Sequence, residues 1–157
     1  MNAGPSPTAA AMGERLVRQF EGLRLYPYQD SAGVWTIGYG SIRLADGSPV
    51  TATTPPITAD AADALLMAEL TDKIAKVDAL IPADATDGQR AALYSFTYEE
   101  GIGAFSSSTL LRKFQAGDIA GVEAEFPKWV YAGGRVVQGI VNRRKLELAV
   151  FQGKVVP

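Results

Sequence analysis

The spacing of apolar residues along the first half of the chain predicts two helices with a small sheet between them. From about Ala9 to Gly22, apolar residues recur every three or four positions, which is typical of one face of a helix. Between Tyr26 and Val50, aromatic and β-branched residues are interrupted by two glycine-containing turns, a pattern that indicates a small antiparallel sheet. Thr58 is a good N-cap for a longer helix that runs to about residue 80. The apolar stripes of the two helices are Met12, Leu16, Phe20 and Leu23, and Leu66, Leu70, Ile74, Val77 and Ile81.

Beyond Pro82 the pattern is wholly helical. Glycines stand where three of the predicted helices end, and glycine is favoured there because it adopts a left-handed backbone conformation without steric cost. The predicted helices cover residues 87–100, 107–116, 118–125 and 137–152, and the terminal glycines are Gly101, Gly117 and Gly153. Three aromatic residues of this half are expected in the core rather than at a ligand. They are Phe105, Phe114 and Trp129.

These elements predict a single domain of the α+β class. A chain of 157 residues can bury enough surface for one hydrophobic core. Residues 1–8 hold Gly4, Pro5 and Pro7 and are expected to form a flexible tail, which leaves residues 9–157 for the domain. Within it we expect a small β-containing lobe over about 23–57, a linking helix over about 58–81 and a helical lobe over about 82–157. A cleft between the lobes would suit a polymeric ligand.

Two missing residue types restrict the chemistry. The chain contains no cysteine and no histidine, which excludes thiol nucleophiles, Ser-His-Asp hydrolases and the usual zinc sites. Carboxylates remain as the obvious groups for proton transfer, and wall-lysing enzymes that use carboxylates alone are glycosidases.

The net charge of −2 conceals an asymmetry along the chain. Residues 1–100 carry 7 Lys/Arg and 13 Asp/Glu, whereas residues 101–157 carry 8 and 4. A basic C-terminal half could face an anionic polymer, although ordinary solubilising surface charge explains the pattern as well. The basic residues form no dense patch with exposed aromatics, so nucleic-acid binding is not expected. No apolar run approaches the length that spans a bilayer, so stable membrane insertion is not expected either.

One short segment concentrates the candidate chemistry. Glu21, Asp30 and Thr36 lie at the end of a predicted helix, in a predicted turn and on the strand that follows. An acid, a second carboxylate and a hydroxyl so placed can converge on one point and divide proton donation from water positioning. The negative pole of the helix disfavours a charged carboxylate at Glu21, which would help to keep this acid protonated. The pattern points to hydrolysis of a glycosidic bond.

The same segment resembles the catalytic region of the phage-type lysozymes, the endolysins of glycoside hydrolase family 24. The likeness covers roughly residues 12–153. It includes Glu21-Gly-Leu-Arg24, Thr36-Ile-Gly-Tyr-Gly40, Ser95-Phe96, Gly101-Ile-Gly-Ala-Phe105, Ser108-Thr-Leu-Leu-Arg-Lys113, Gly133-Gly134 and Arg143-Arg144 to Glu147. The resemblance implies a lysozyme-like fold and an enzyme that uses no metal and no organic cofactor. It also implies that Glu21 is the general acid and that Asp30 stabilises the transition state and, with Thr36, holds the attacking water, with inversion at the sugar.

Other residues are expected at the substrate through the same resemblance. Arg143 matches an arginine that in this family sits beside the catalytic glutamate, although a solvated Arg-Arg-Lys face is the simpler alternative. Tyr39 could stack on a sugar ring, and Arg24 is expected to brace the lobe junction. Glu99 stands where relatives commonly have asparagine, so either it points into the cleft or it and Glu100 are surface glutamates at a helix end.

One further departure from the family concerns Ser41. It follows Gly-Tyr-Gly where relatives usually have histidine, so any support from that ring is missing. This puts the local structural support in doubt. The three proposed catalytic groups are unaffected by the change.

The resemblance implies an endolysin, a muramidase that hydrolyses the β-1,4 bond between N-acetylmuramic acid and N-acetylglucosamine in peptidoglycan and so lyses the host cell. Its partners would be glycan strands, and a monomer is expected. The start of the chain lacks an export signal, so we expect host cytoplasm before lysis and holin-dependent access to the wall in the periplasm. The alternatives are a lytic transglycosylase, a chitin-cleaving enzyme and a catalytically impaired peptidoglycan-binding protein.

Overall fold

The structure, a computed structural model, describes residues 7–157. This part of the chain forms seven α-helices and four short strands, which is the mixture expected of an α+β protein. Their bounds are α1 Pro7–Glu21, β1 Arg24–Gln29, β2 Trp35–Gly38, α2 Ala59–Asp78, α3 Asp87–Glu100, α4 Ile102–Ser106, α5 Thr109–Gln115, α6 Ile119–Glu125, β3 Tyr131–Ala132, β4 Arg135–Val136 and α7 Gln138–Phe151. Helix α1 begins at Pro7, two residues before the predicted start at Ala9. Most of the predicted tail, residues 1–6, lies outside the described residues.

The described chain divides into two compact units. The hairpin unit is Val17–Asp72, and the helical unit comprises the described residues up to Leu16 together with Lys73–Pro157. The boundaries therefore fall inside α1 and α2, whereas the sequence predicted them at the ends of helices.

The hairpin unit is built on β1 and β2, which pair antiparallel. Tyr28 faces Thr36 across the pair, and Gln29 faces Trp35. Thr58 accepts a hydrogen bond from the Ala61 amide at 3.0 Å, which confirms it as the N-cap of α2. Apolar side chains from the sheet, the following loop and α2 form a small core. Its members are Ile37, Val50 and Leu65, with Trp35, Leu44 and Ile57 packed against them.

The helical unit is organised around α3. Thr86 and Gln89 form a capping box at its start, which fixes the first turn as predicted for a helix over residues 87–100. The aromatic ring of Phe96 packs edge-on against three other rings, those of Phe105, Phe126 and Trp129. Phe105 and Phe114 are buried, which confirms them as core residues, and Trp129 is half-buried against Phe96.

Several local predictions are corrected. The region beyond Pro82 is not wholly helical, because Gly133 and Gly134 form the turn of a two-residue hairpin between β3 and β4. Leu23 is 41% exposed because α1 ends at Glu21, before the apolar stripe reaches it. The α2 stripe is confirmed, since all five predicted residues are buried. Within residues 7–157, no helix combines the length and the apolar character that crossing a membrane would require.

Candidate active site

Glu21 is the last residue of α1. Its carboxylate lies against the backbone of Gly40, because a Cβ built on this glycine would stand 3.1 Å from Glu21 Oε2. Gly40 also has a φ of +93°, a backbone conformation that side chains with a Cβ rarely adopt. Glycine at position 40 therefore makes room for the acid beside the end of the hairpin.

Asp30 occupies the turn between β1 and β2. Its Oδ1 atom accepts hydrogen bonds from the backbone amides of Ala32 and Val34, both at 2.9 Å. The turn is closed by two backbone hydrogen bonds, from Asp30 to Val34 and from Gly33 to Asp30, also at 2.9 Å. The side chain is exposed. Because these backbone amides bond to Oδ1, the second carboxylate oxygen keeps its capacity to accept a hydrogen bond from water.

Thr36 lies on β2 and is only 3% exposed. Its hydroxyl donates a hydrogen bond to the Val34 carbonyl oxygen at 2.8 Å. A hydroxyl has one proton and two lone pairs, so this bond leaves the Thr36 oxygen as an acceptor. Asp30 and Thr36 both bond to Val34, which fixes the carboxylate and the hydroxyl relative to each other.

Tyr28 joins this group, although the sequence did not single it out. Burial raises the pKa of the Tyr28 phenol, the charges of Glu21 and Asp30 raise it further, and Arg24 opposes them. The phenol therefore lies within electrostatic reach of both proposed catalytic carboxylates. The signal that could have found it is the hairpin register, which sets Tyr28 directly opposite Thr36.

Tyr39 does not offer the open ring face that was expected of a sugar platform. Its side chain is 9% exposed, and the guanidinium of Arg18 lies over the ring, 5.3 Å from its centroid. Arg18 in turn forms a salt bridge with Asp63 at 3.1 Å. The stacking of Tyr39 on a sugar ring stays a prediction, and the burial of the ring does not favour it.

Ser41 is fully buried, and its backbone exchanges two hydrogen bonds of 2.9 Å with Ile37. Its Oγ atom has no hydrogen-bond partner in the part of the chain that the structure describes. The backbone thus holds this position without a contribution from the serine hydroxyl.

Arg143 and Arg144 lie on α7 in the helical unit, and both are buried. Arg143 donates to Ser95 O at 3.0 Å, to Ser95 Oγ at 3.2 Å and to Glu147 Oε2 at 3.3 Å. Arg144 donates to Trp129 O at 2.8 Å and forms an ion pair with Glu147. The solvated Arg-Arg-Lys face is therefore wrong for the two arginines, because the side chains of α3 enclose them.

Glu99 and Glu100 are the outer counterions of this cluster. Both pair with Arg144 Nη2, Glu100 at 2.9 Å, and Glu99 also lies 3.8 Å from Arg143 Nε. Their side chains are 24% and 22% exposed, so they are not the freely solvated glutamates of the simpler alternative. The prediction that Glu99 contacts substrate is untested, but its carboxylate is already engaged by arginine.

Glu147 is the central residue of a group that we name the arginine cluster. Its members are Arg143, Arg144, Glu147, Glu99, Glu100 and Ser95. The Glu147 carboxylate is fully buried and accepts a hydrogen bond from Ser95 Oγ at 2.6 Å. Burial raises the pKa of Glu147, and the two guanidinium groups pull against it. For Arg144, burial would lower the pKa, but the carboxylates of Glu147 and Glu99 outweigh it and raise the pKa. The mutual pairing keeps Arg144 charged inside the protein.

The arrangement supplies groups for acid-base chemistry. Within residues 7–157, no group of three or more His, Cys, Asp or Glu side chains is placed to hold a metal ion. The hairpin unit provides two carboxylates, a buried hydroxyl and a phenol around one turn and one helix end. A pair of carboxylates is what glycosidic bond hydrolysis requires.

Comparison with known proteins also indicates hydrolysis of glycosidic bonds. The family model described as Phage lysozyme matches residues 18–147. The endolysin of Acyrthosiphon pisum secondary endosymbiont phage 1 is 37% identical over 141 residues, 87% of this chain and 92% of that protein. The SAR-endolysin of Enterobacteria phage PA-2 is 36% identical over 83% of this chain and 76% of that protein. The endolysin of Bacillus phage PZA is 40% identical over 88% of this chain. That match covers only 53% of the relative's own length.

Among solved structures, the endolysin from Escherichia coli O157:H7 phage FAHEc1 matches with a TM-score of 0.85 at 34% identity. The match covers 100% of this chain and 98% of that one. The fold, with these likenesses, defines a glycoside hydrolase of lysozyme type. The chain belongs to the phage lysozyme family. The lysozyme-like α+β fold and the enzyme class expected from the sequence are confirmed.

Proposed function

We propose that this lysozyme hydrolyses the β-1,4 bond between N-acetylmuramic acid and N-acetylglucosamine in peptidoglycan, with Glu21 as the general acid. Asp30 and Thr36 hold the attacking water. The observation that carries this proposal is the geometry of the turn. The Val34 carbonyl oxygen accepts a hydrogen bond from the Thr36 hydroxyl, and the Val34 amide donates one to Asp30. These two bonds hold the Thr36 oxygen and the Asp30 carboxylate in place as acceptors for one water molecule.

The proposed reaction assigns a role to each carboxyl group. Glu21 donates its proton to the glycosidic oxygen as the bond to the anomeric carbon breaks, and positive charge develops on the sugar ring. Asp30 stabilises that charge and accepts a proton from the water that attacks the anomeric carbon. Afterwards Glu21 carries the negative charge and Asp30 the proton, and exchange with solvent restores both.

The stereochemical outcome of this proposal is inversion. A water held by Asp30 and Thr36 attacks the sugar from the side opposite the departing oxygen, which inverts the anomeric carbon. Inverting glycosidases keep their two carboxyl groups about 6.5–9.5 Å apart to leave room for that water. Proton NMR of the newly released reducing end would give the anomeric configuration directly.

The family and the names of its relatives support peptidoglycan as the substrate. Curated relatives over most of the chain are called endolysins, and one solved structure of similar fold is a muramidase domain with a TM-score of 0.75. Arg143 as an orienting residue for the acid and Glu99 as a substrate contact remain predictions. Within the helical unit both side chains are held by the arginine cluster.

Product analysis on purified peptidoglycan tests this function. We expect soluble fragments that end in reducing N-acetylmuramic acid, because water adds across the broken bond. Reaction in ¹⁸O-labelled water should place the label at the new reducing end. Fragments with an anhydro end would instead identify a lytic transglycosylase, and binding without fragments would identify an impaired wall-binding protein. Release of sugars from chitin at a comparable rate would broaden the substrate.

The route to the wall is part of the same proposal. The enzyme acts on the cell wall, accumulates in the host cytoplasm, gains access to the periplasm through a holin pore, and functions as a monomer in releasing phage. The name SAR-endolysin is carried by several relatives and describes those proteins. Expression in bacteria with and without a holin tests the route. Lysis that begins only with the holin supports it, and lysis without the holin contradicts it.

A further inference from the structure

We infer that Tyr28 is a positioning residue whose hydroxyl provides a third polar contact for the attacking water, beside Asp30 and Thr36. This inference rests on the hydrolytic function proposed above and adds one residue to its site. Three independent features of the hairpin unit carry it: the strand register, the charges around the phenol, and the guanidinium that covers one face of the ring.

The register places Tyr28 beside the proposed water. Residues directly opposite each other in an antiparallel pair project to the same face, with Cβ atoms about 4.5–5.5 Å apart. Tyr28 is the partner of Thr36 in the β1–β2 pair, and the Thr36 oxygen keeps its capacity to accept a hydrogen bond after donating to Val34. The phenol and the threonine hydroxyl therefore share one face of the hairpin.

The charges of two carboxylates act on the phenol. Glu21 and Asp30 come from different elements, yet both act electrostatically on Tyr28. The phenol therefore lies within reach of both charges, and the strand register sets its side chain on the same face as Thr36. These charges and burial raise the pKa of Tyr28, so the phenol keeps its proton at neutral pH and remains able to donate it in a hydrogen bond.

Arg24 holds the ring in place. Its guanidinium carbon lies 4.5 Å from the centroid of the Tyr28 ring, within the range of a cation–π contact. Both residues lie on β1, on either side of an irregularity in the pairing with β2. The expectation that Arg24 braces the lobe junction stays a prediction. Its guanidinium covers one face of the Tyr28 ring and so restrains the ring.

The test is the replacement Tyr28→Phe, which removes the hydroxyl and keeps the ring under Arg24. We expect kcat on peptidoglycan fragments to fall about tenfold, the effect of one lost hydrogen bond, with KM changed by less than about twofold. Tyr26→Phe is the matched control, because Tyr26 lies on the same strand and is 69% exposed. It should keep wild-type kcat, and both variants should keep the wild-type Tm.

A kcat within about twofold of wild type in Tyr28→Phe would overturn the inference, since one hydrogen bond is worth more than that. So would a fall in kcat accompanied by a fall in Tm of several degrees, because the hydroxyl would then be stabilising the fold. Lowered kcat with unchanged Tm and KM is the supporting result.

A substrate with an activated leaving group separates water positioning from support of the acid. A dinitrophenyl glycoside of a peptidoglycan disaccharide departs without protonation, so Glu21→Gln should regain most of its lost rate on it. Tyr28→Phe should remain slow, because water is still required. Recovery of Tyr28→Phe alongside Glu21→Gln would overturn the inference. Failure of the proposed function is distinguishable, because Glu21→Gln would then keep the wild-type rate on both substrates.

Discussion

Replacement of Glu21 by glutamine is expected to lower kcat on peptidoglycan by about a thousandfold, the typical contribution of a positioned general acid. Glutamine has nearly the same shape but no acidic proton, so the leaving oxygen would depart as an unprotonated alkoxide. The backbone of Gly40 packs beside the Glu21 carboxylate and accommodates an amide of the same size. The effect should therefore fall on kcat, with KM and Tm close to wild type.

A change elsewhere on α1 provides the control for this result. Glu14→Gln makes the same chemical change on the same helix, two turns before Glu21, and should leave turbidity clearing and fragment release unchanged. Both variants should be compared with wild type in one assay of soluble fragment mass. Residual activity of more than about a tenth of wild type in Glu21→Gln would exclude this residue as the general acid.

Replacement of Glu147 by alanine is expected to destabilise the protein by about 3–5 kcal/mol, the cost of breaking a buried ion pair from one side. The change leaves two buried guanidinium groups without their central counterion and leaves the Ser95 hydroxyl without its acceptor. Urea unfolding followed by circular dichroism would measure the loss. Glu99 and Glu100 would still pair with Arg144, which limits the damage on that side of the cluster.

Two further variants give this prediction its control. Lys145→Ala, on the exposed face of the same helix, should change the free energy of unfolding by less than about 0.5 kcal/mol. A double replacement, Arg144→Met with Glu147→Leu, leaves one buried guanidinium without the central carboxylate instead of two, while Glu99 and Glu100 are partly exposed and can be hydrated. It should therefore cost less than Glu147→Ala alone. A Glu147→Ala protein as stable as wild type would contradict the structural role of the cluster.

The candidate site was predictable from sequence where its geometry is local. Glu21, Asp30 and Thr36 lie within one helix end and one hairpin, so their spacing along the chain already determines their neighbourhood. Tyr28 and Tyr39 show the limit of this reasoning. Both are tyrosines beside the motif, and only the strand register and the position of Arg18 decide that Tyr28 lies opposite Thr36 while Tyr39 is buried.

The fold was predictable where one apolar stripe dominates, as in α2. It was not predictable where charge is buried, because a helix carrying Arg143, Arg144 and Lys145 in succession is typical of a solvated face. Burial of the two arginines depends on Glu99, Glu100 and Ser95 of another helix, and such long-range compensation leaves no periodic signal. The β3–β4 hairpin escaped for a different reason, since strands of two residues are too short for an alternating pattern.

The arginine cluster also determines how the protein should respond to ionic strength. Dissolved ions weaken attraction between charges that face solvent, but they reach enclosed pairs much less. The surface pair of Arg18 and Asp63 should therefore loosen in concentrated salt, while the enclosed guanidinium and carboxylate groups of α3 and α7 keep their attraction. The arginine cluster carries its own counterions inside the helical unit. Its ion pairs should therefore keep their strength in dilute medium and in concentrated cell contents alike.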